Sequence, residues 1–229
     1  MSEVRFLPRW ELVGVRGAVV VVDVLRAFTT AAYALAAGAR EIWLVDSIDE
    51  AFAFKAARPG SIAMGEQGGR RPDGFELSNS PVQVAEHDLS GKVVVQCTGA
   101  GTRGVVAAAD ADRLWAASLV CASATAAAVD AAGLGPPTYV ITGRFPDQPA
   151  HRADDDVETA RLIERARVGE PLDVAATAAR IASSREWEIT QAVGAGHFHP
   201  DDLTLATAVD RFDFAMAVER VDGGLRIRP

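Results

Sequence analysis

Short apolar runs alternate with alanine-rich or amphipathic stretches along most of this chain. Apolar runs of strand length, typical of strands covered on both faces, begin near Val19, Glu41, Ile62, Lys92, Arg113 and Thr138. Helices are predicted over Phe28–Ala37, Cys121–Ala132 and Asp154–Val168, with shorter ones near 173–182, 185–193 and 201–208. Three more short helices are predicted to begin at Ser47–Glu50, at Asn79–Pro81 and after the Thr98–Gly104 turn. A closing hairpin is predicted to pair Phe214–Val218 with Leu225–Ile227. Strands that alternate with helices predict an α/β fold, a layered α/β/α arrangement around a mostly parallel sheet.

Two parts of the chain resemble each other. Ala39–Trp43 is similar to Ala111–Trp115, and each segment follows a strand, a turn and an alanine-rich helix. Duplication and chance similarity both account for this. We therefore expect one α/β domain over 1–229, within which two similar βαβ lobes would span 1–90 and 91–229.

Composition and charge narrow the class of protein. The 229 residues are 49% hydrophobic and 24% charged, with a net charge of −8, which disfavours non-specific binding to nucleic acid or to an anionic membrane. The chain begins without the apolar core of a signal peptide, and no apolar run approaches the length of a membrane helix. Two distant cysteines suit a reducing compartment. We expect a cytoplasmic protein that binds neither nucleic acid nor membrane, and a homodimer on grounds of commonness alone.

The segment 65–81 is the most informative part of the sequence. Four glycines within ten residues, Gly65, Gly68, Gly69 and Gly74, follow a predicted buried strand. Glycine adds nothing to a core, but it allows tight turns and the close approach of a ligand. The same loop carries acidic and basic side chains, among them Glu66 and Arg70. A phosphorylated substrate accompanied by a divalent cation would need this mixture.

Two other strand ends carry candidate chemistry. Asp23 and Arg26 follow the first predicted strand, where the aspartate could hold Mg²⁺ or act as a nucleophile and the arginine could hold a phosphate. The alternative is a helix-capping aspartate beside an exposed arginine. In α/β folds ligands gather beyond the carboxyl ends of the strands, which is where these residues fall.

The second strand end, Thr98–Gly104, contains the spacing G-x-G-x-x-G between a strand and a helix. No acid follows at the position that a dinucleotide-binding site needs, so we exclude NAD binding. Open backbone N–H groups at a helix start still attract an anion, and Thr98, Thr102 and Arg103 could add donors. The alternative is a tight turn capped by Thr102.

Weaker candidates lie elsewhere. Asp154–Asp156 begin a predicted helix, where acids complement the helix dipole, and one of them could face inward toward a metal. His197 and His199 have the spacing of two ligands, but without a third a surface loop is the better interpretation than a zinc site. Cys97 and Cys121 are interpreted as buried small residues rather than a redox pair.

Several segments together resemble the 2-phosphosulfolactate phosphatase family, also called ComB-like proteins. The similar segments are Val22–Thr30, Gly65–Gly69, Gly74–Pro81, Thr98–Arg103, Ala122–Ala124 and Asp154–Asp155. The resemblance implies a ComB-like α/β fold and Mg²⁺-dependent hydrolysis of a phosphate ester on a small acidic substrate, the type reaction giving 3-sulfolactate and phosphate. The motif residues carried over are Asp23, Arg26, Glu66, Gly68, Gly69, Asn79, Ser80, Thr98, Gly101, Thr102, Arg103, Ser123 and Asp155.

On this basis we assign expected roles. Asp23, Arg26 and Arg103 would be catalytic, and Asp23, Glu66 and Asp155 would hold the metal. The phosphate or substrate would be bound by Gly68, Gly69, Asn79, Ser80, Thr98, Gly101, Thr102 and Ser123. Whether Asp23 attacks phosphorus itself or water attacks directly stays open.

The chain departs from the family pattern at three positions. Gln67 stands where arginine is common, and Ala100 and Cys121 stand where asparagine is common. Each change removes a polar group that could face a ligand. A phosphoanion-binding protein that has lost turnover, and a sugar-phosphate isomerase or lyase, therefore remain competing hypotheses.

Overall fold

The computed structural model describes residues 4–147, 151–194 and 196–228. The strands are β1 Arg5–Pro8, β2 Ala18–Val22, β3 Glu41–Val45, β4 Ile62–Gly65, β5 Leu77–Ser78, β6 Val93–Cys97, β7 Arg113–Ala117, β8 Thr138–Ile141, β9 Met216–Val221 and β10 Gly224–Ile227. The helices are α1 Ala27–Ala36, α2 Ile48–Ala57, α3 Pro81–Ala85, α4 Gly101–Ala107, α5 Ala122–Ala131, α6 Asp154–Arg167, α7 Val174–Ala182, α8 Arg185–Gln191 and α9 Asp202–Ala206. The elements predicted from the hydrophobic pattern are present with small shifts at their ends. The pattern missed the short strands β1 and β5.

The strands form one sheet in the order β1-β8-β2-β7-β9-β10-β3-β6-β4-β5. β1, β8, β2 and β7 form one parallel set, and β3, β6, β4 and β5 form a second. The hairpin β9–β10 lies between them and pairs antiparallel on both sides. Since three antiparallel pairings separate β7 from β3, the two parallel sets run in opposite directions. The prediction of an α/β fold with a mostly parallel sheet is confirmed.

Each of the two similar parts of the chain contributes one strand to each parallel set. β2, α1 and β3 form the first segment and β6, α4 and β7 the second, yet β2 pairs with β7 and β3 pairs with β6. Trp43 is the third residue of β3 and pairs with Val95 of β6. Trp115 is the third residue of β7 and pairs with Val20 of β2. The boundary at 90/91 therefore does not separate the two strand sets. Division of the chain into lobes stays a prediction.

The side chains of β2 show how the layers form. Val19 and Val21 pack with α1, including Phe28, whereas Val20 and Val22 pack on the other face with α5 and α6 residues such as Ala126. Successive strand residues point to opposite faces, so a run of buried valines requires a helical layer on each side. Alanine-rich helices allow these layers to approach the sheet closely. No helix within the described ranges combines the length and apolarity needed to cross a bilayer.

Candidate active site

A cavity of about 480 Å³ is lined by residues that follow the carboxyl ends of strands from both sets. Segments that follow β2, β4, β5, β6 and β8 form one part of its wall, and residues in or next to α6 and α8 form the rest. Its lining includes Asp23, Arg26, Glu66, Gly68, Gly69, Asn79, Gly99, Ala100, Thr142, Phe145, Asp155, Asp156, Glu186, Ile189 and Val193. The position beyond the strand ends is the one that the sequence predicted, although strands from both sets contribute to it.

Asp23 is buried at the end of β2. Its Oδ1 accepts a hydrogen bond from the Ala27 N–H at 2.8 Å, which satisfies the first turn of α1, and its Oδ2 accepts one from Thr142 Oγ1 at 3.2 Å. Burial, together with the nearby Glu66 carboxylate and against the hydrogen bond from Ala27, raises the pKa of Asp23 to about 6. Asp23 is thus both the helix cap of the structural interpretation and a cavity-lining acid.

Two more acids enter the cavity from the start of α6. Asp155 Oδ2 accepts from the Leu25 N–H at 3.2 Å, and Asp156 accepts from the N–H groups of Val24 and Gly143 at 3.0 and 2.9 Å. Burial first, and neighbouring carboxylates second, raise the pKa of Asp155 to about 8 and that of Asp156 well above its usual range. The sequence offered Asp154–Asp156 as candidates and the family motif selected Asp155, whereas the structure also places Asp156 at the cavity and pairs Asp154 with Arg152 at the surface.

Glu186, on α8, fixes the start of α6. Its Oε1 accepts the Ala153 N–H at 2.7 Å, and Ala153 has the left-handed conformation (φ 55°, ψ 44°) from which α6 begins. The other oxygen, Oε2, is buried without a hydrogen-bond partner among the described residues. No local sequence signal identified Glu186, because only the packing of α8 against α6 brings it here.

The glycine loop is a tight turn that packs against the segment following α8. Gln67 and Arg70 exchange backbone hydrogen bonds across Gly68 and Gly69, whose φ values of 60° and 79° suit a two-residue turn that favours glycine. A Cβ on Gly69 would lie 2.6 Å from Val193 Cγ2. The glycines are thus required by turn geometry and close packing at the cavity wall.

Glu66 connects this loop to the segment after β6. Its Oε2 accepts the Gly69 N–H and its Oε1 accepts the Gly99 N–H, both at 2.6 Å. Each carboxylate oxygen retains acceptor capacity, so this structural role is compatible with the predicted metal role.

Arg26 lines the cavity but already has a counter-ion. Its Nη1 lies 2.7 Å from Asp202 Oδ2, its Nη2 donates to the His197 carbonyl at 3.1 Å, and both charged side chains are almost completely buried. Asp202 also accepts from Ser80 Oγ at 2.6 Å. Ser80 is therefore engaged with Asp202 and does not line the cavity, whereas Asn79 does, and its buried Oδ1 has no hydrogen-bond partner among the described residues. Sequence reasoning missed Asp202, since it lies far along the chain from Arg26.

Thr98 and Thr102 bond to each other instead of facing the cavity. Thr98 Oγ1 accepts the Thr102 N–H at 3.0 Å, and Thr102 Oγ1 accepts the Thr98 N–H at 2.9 Å. Gly101 packs against Asp23, because a Cβ there would lie 2.7 Å from Asp23 Oδ2. The geometry matches the tight-turn alternative for the threonines and gives the glycine a packing reason.

Two further predicted residues lie outside the cavity. Arg103 is half-exposed, with its Nε 3.4 Å from Asp46 Oδ1, in an adjoining groove that shares Glu66 and Gly99 with the cavity. Ser123 is exposed and binds Asp210 through its N–H and Oγ at 2.7 and 2.6 Å. The structure therefore groups Asp23, Arg26, Glu66, Gly68, Gly69, Asn79 and Asp155 at one cavity, but not Ser80, Thr98, Gly101, Thr102, Arg103 or Ser123.

The weaker candidates have structural roles. His197 Nδ1 accepts the Arg71 N–H, and His199 Nδ1 accepts the Asp201 N–H, both at 3.1 Å. Cys97 and Cys121 are both free and buried, and burial raises the pKa of Cys97 to about 11. These contacts agree with the loop and core interpretations.

The cavity has the charge to accept a cation. Asp23, Asp155 and Asp156 are buried together with raised pKa values, and Glu186 Oε2 has no hydrogen-bond partner in the described part of the chain. Within the described ranges, no group of three or more His, Cys, Asp or Glu side chains is placed to hold a metal ion. Mg²⁺ commonly binds through one or two carboxylates and keeps several waters, so the residues present fit such an ion.

The fold and site define an α/β protein with an acid-lined ligand cavity at the carboxyl ends of its strands. The chain belongs to the 2-phosphosulpholactate phosphatase family, whose family model matches residues 10–189.

Curated relatives support this membership. A "Probable 2-phosphosulfolactate phosphatase" of Bacillus subtilis is 33% identical over 202 residues, covering 88% of this chain and 86% of the relative. One of Thermoplasma acidophilum is 34% identical over 155 residues, 68% of this chain and 67% of the relative. One of Carboxydothermus hydrogenoformans is 47% identical over 109 residues, 48% of this chain and 45% of the relative.

The three departures from the family pattern differ in their consequences. Ala100 lines the cavity, so a polar group is missing there. Gln67 lies in the adjoining groove, and Cys121 is fully buried in the core. Only the change at Ala100 alters the wall of the acid-lined cavity.

Proposed function

We propose that this protein is a Mg²⁺-dependent phosphatase that hydrolyses a small acidic phosphate ester. The reaction would be the one after which its relatives are named, 2-phospho-3-sulfolactate and water giving 3-sulfolactate and phosphate. The observation that carries the proposal is the group of buried carboxylates, Asp23, Asp155 and Asp156, at the meeting point of the strand ends.

This charge distribution gives the reason for a metal. Several carboxylates in one cavity repel a phosphate dianion, and the Arg26 cation beside them is already paired with Asp202. A bound Mg²⁺ would neutralise the acids and polarise the phosphate oxygens. Asp23 and Asp155 would hold it, with Glu66 near enough to Asp23 to influence its pKa.

The remaining residues would position the ester. Phosphoryl transfer is catalysed mainly by positioning and by charge neutralisation. The Gly68–Gly69 turn and Asn79 form part of the cavity wall. Two hydrogen bonds hold the Arg26 guanidinium in one position at the cavity. A residue held in this way loses little conformational freedom when substrate binds.

The proposal is tested by phosphate release from 2-phospho-3-sulfolactate and other phosphorylated hydroxy acids, with Mg²⁺ and with EDTA. We expect release with Mg²⁺ and a loss of at least ~10²-fold with EDTA, reversed by added Mg²⁺. Asp23→Asn should lose at least ~10²-fold, because it removes a charge-stabilising group. Asp222→Asn, at an exposed position in the β9–β10 turn, is the matched control and should keep wild-type activity.

Arg103→Ala belongs in the same series. Its predicted catalytic role requires the guanidinium to exchange Asp46 for the substrate phosphate, and on that role we expect a loss of at least ~10²-fold. Wild-type activity in this variant would limit Arg103 to its ion pair with Asp46. Wild-type activity in Asp23→Asn would remove the basis of the whole assignment.

Ala100 is the observation that favours a second candidate, a phosphoanion-binding protein without turnover. It would bind inorganic phosphate tightly and release none from any ester in the panel. Calorimetry with inorganic phosphate, run beside the release assay, distinguishes the two functions.

A further inference from the structure

Arg9 is a half-buried cation beside the cavity that the motifs did not select. It lies just outside the family match, which begins at residue 10. Its Nη1 donates to the Gly99 carbonyl at 3.0 Å, and its guanidinium carbon lies 5.2 Å from the centre of the Phe145 ring. Gly99 and Phe145 both line the acid-lined cavity. The side chain is thus fixed at the edge of the site by two of its wall residues.

The hydrogen-bonding capacity of Arg9 is largely unused. A guanidinium has five N–H donors, and the bond to Gly99 uses one. In the part of the chain that the structure describes, Arg9 makes no ion pair and no second hydrogen bond. Burying a charge without a partner is costly. A half-buried arginine with unused donors therefore favours the binding of an anion.

A second cation lies close by. Burial lowers the pKa of Arg9, and the positive charge of Arg103 lowers it further, whereas Asp46 and Asp147 act in the opposite direction. Like charges brought together raise the local positive potential, and a bound anion would relieve this repulsion. Gly99 also connects Arg9 to Glu66, because its carbonyl accepts from Arg9 and its N–H donates to Glu66.

The cavity therefore has an acidic region and a basic edge. The acids lie at Asp23, Asp155 and Asp156, where the proposed cation would carry the phosphate. Arg9 lies at the edge formed by Gly99 and Phe145. A ligand that fits both regions carries a phosphate at one end and a further anionic group at the other.

We propose that Arg9 binds the anionic group that the substrate carries in addition to its phosphate and its C1 carboxylate, and so selects phosphorylated hydroxy acids with a sulfonate or a second carboxylate on C3. This inference rests on the proposed phosphatase function. Arg9 is here a specificity-determining residue, since it contacts the substrate without taking part in the transfer of the phosphoryl group.

The test compares two substrates in wild-type protein and in Arg9→Gln. One substrate is 2-phospho-3-sulfolactate, and the other is 2-phospholactate, which lacks the sulfonate but keeps the phosphate and the carboxylate. We expect Arg9→Gln to raise KM for the sulfonated substrate about 10-fold or more, the scale of a charge-assisted hydrogen bond. KM for 2-phospholactate should change less than about 2-fold, and kcat should stay near wild type for both.

Arg16→Gln is the matched control. Arg16 also donates to a backbone carbonyl, that of Asp110 at 2.7 Å, but at an exposed position away from the cavity. Its kinetics should match those of the wild type. An equal loss on both substrates in Arg9→Gln would show a general structural role, and no loss on either would show no role. Both results overturn the proposal.

Binding of 3-sulfolactate, measured by calorimetry in the presence of Mg²⁺, separates this inference from the proposed function. If the wild type turns over neither substrate, the phosphatase proposal fails, but the affinity for 3-sulfolactate still decides the role of Arg9. An affinity at least ~10-fold weaker in Arg9→Gln supports the anion subsite. Equal affinities, or no binding by the wild type, overturn it.

Discussion

At the scale of single residues, the ion pair between Arg26 and Asp202 fixes the positions of several groups near the cavity. Asp202 is fully buried and accepts hydrogen bonds from Arg26, Ser80 and the His199 N–H. It joins the segments after β2 and β5 to the start of α9. A single carboxylate therefore fixes the cavity-lining cation and two chain segments together.

We predict that Asp202→Asn lowers the free energy of unfolding by about 3–5 kcal/mol, because it leaves the buried Arg26 without its counter-charge. Urea unfolding followed by circular dichroism measures the loss. Asp201→Asn is the matched control, since the neighbouring Asp201 side chain is 71% exposed, and it should cost less than about 1 kcal/mol. Equal losses in the two variants would show that the buried pair contributes nothing special.

At the scale of elements, the close approach of β4 and β6 places the glycine loop. Gly65 ends β4 with φ +146°, and a Cβ there would lie 1.9 Å from the Cys97 carbonyl oxygen. The next residue, Glu66, donates its N–H to that same oxygen at 3.0 Å. The two strand ends can meet in this way only if residue 65 has no side chain.

Gly65→Ala should therefore cost at least about 3 kcal/mol, because overpacking against backbone adds to an unfavourable φ. Gly133→Ala separates the two contributions, since Gly133 also has a positive φ (66°) but has open space around it. We expect about 1–2 kcal/mol for Gly133→Ala, the cost of the left-handed backbone alone. Urea unfolding of both variants checks the difference, and a cost at Gly65 no larger than at Gly133 would contradict the packing argument.

At the scale of the whole molecule, the two parallel strand sets are joined by a continuous sheet and by one cavity. The hairpin β9–β10 pairs with β7 on one side and with β3 on the other. Asp23 and Thr142 come from one set, and Glu66 and Gly99 from the other. We expect these shared contacts to make the sets unfold together.

The tryptophans of β3 and β7 provide a test of this cooperativity. Two variants are needed, one that keeps only Trp43 and one that keeps only Trp115, with the other tryptophans replaced by phenylalanine. In each variant the denaturation midpoint from fluorescence should coincide with that from far-ultraviolet circular dichroism, as two-state unfolding requires. Separate midpoints would show two strand sets that unfold independently. Sedimentation of the native protein, which measures its mass in solution, would test the predicted homodimer.

The sequence by itself determined the elements of this protein and the loops that carry its chemistry. Runs of apolar residues, helix caps such as Ser47 and Ser80, and the Gly68–Gly69 turn act through contacts between near neighbours. The family motifs led to Asp23, Glu66 and Asp155 in the same way, as residues at strand or helix ends. This information is local, so it can be read without the fold.

Only the tertiary structure decided which of these residues meet. It paired β2 with β7 and β3 with β6, and it placed the strand ends of both sets around one cavity. It brought Asp156 to the cavity beside Asp155, and it added Glu186 and Asp202, which contact partners far away in the sequence. It placed Arg103 in the adjoining groove instead. The physical reason is that strand register and helix packing depend on the joint burial of many distant side chains, and no short segment contains that information.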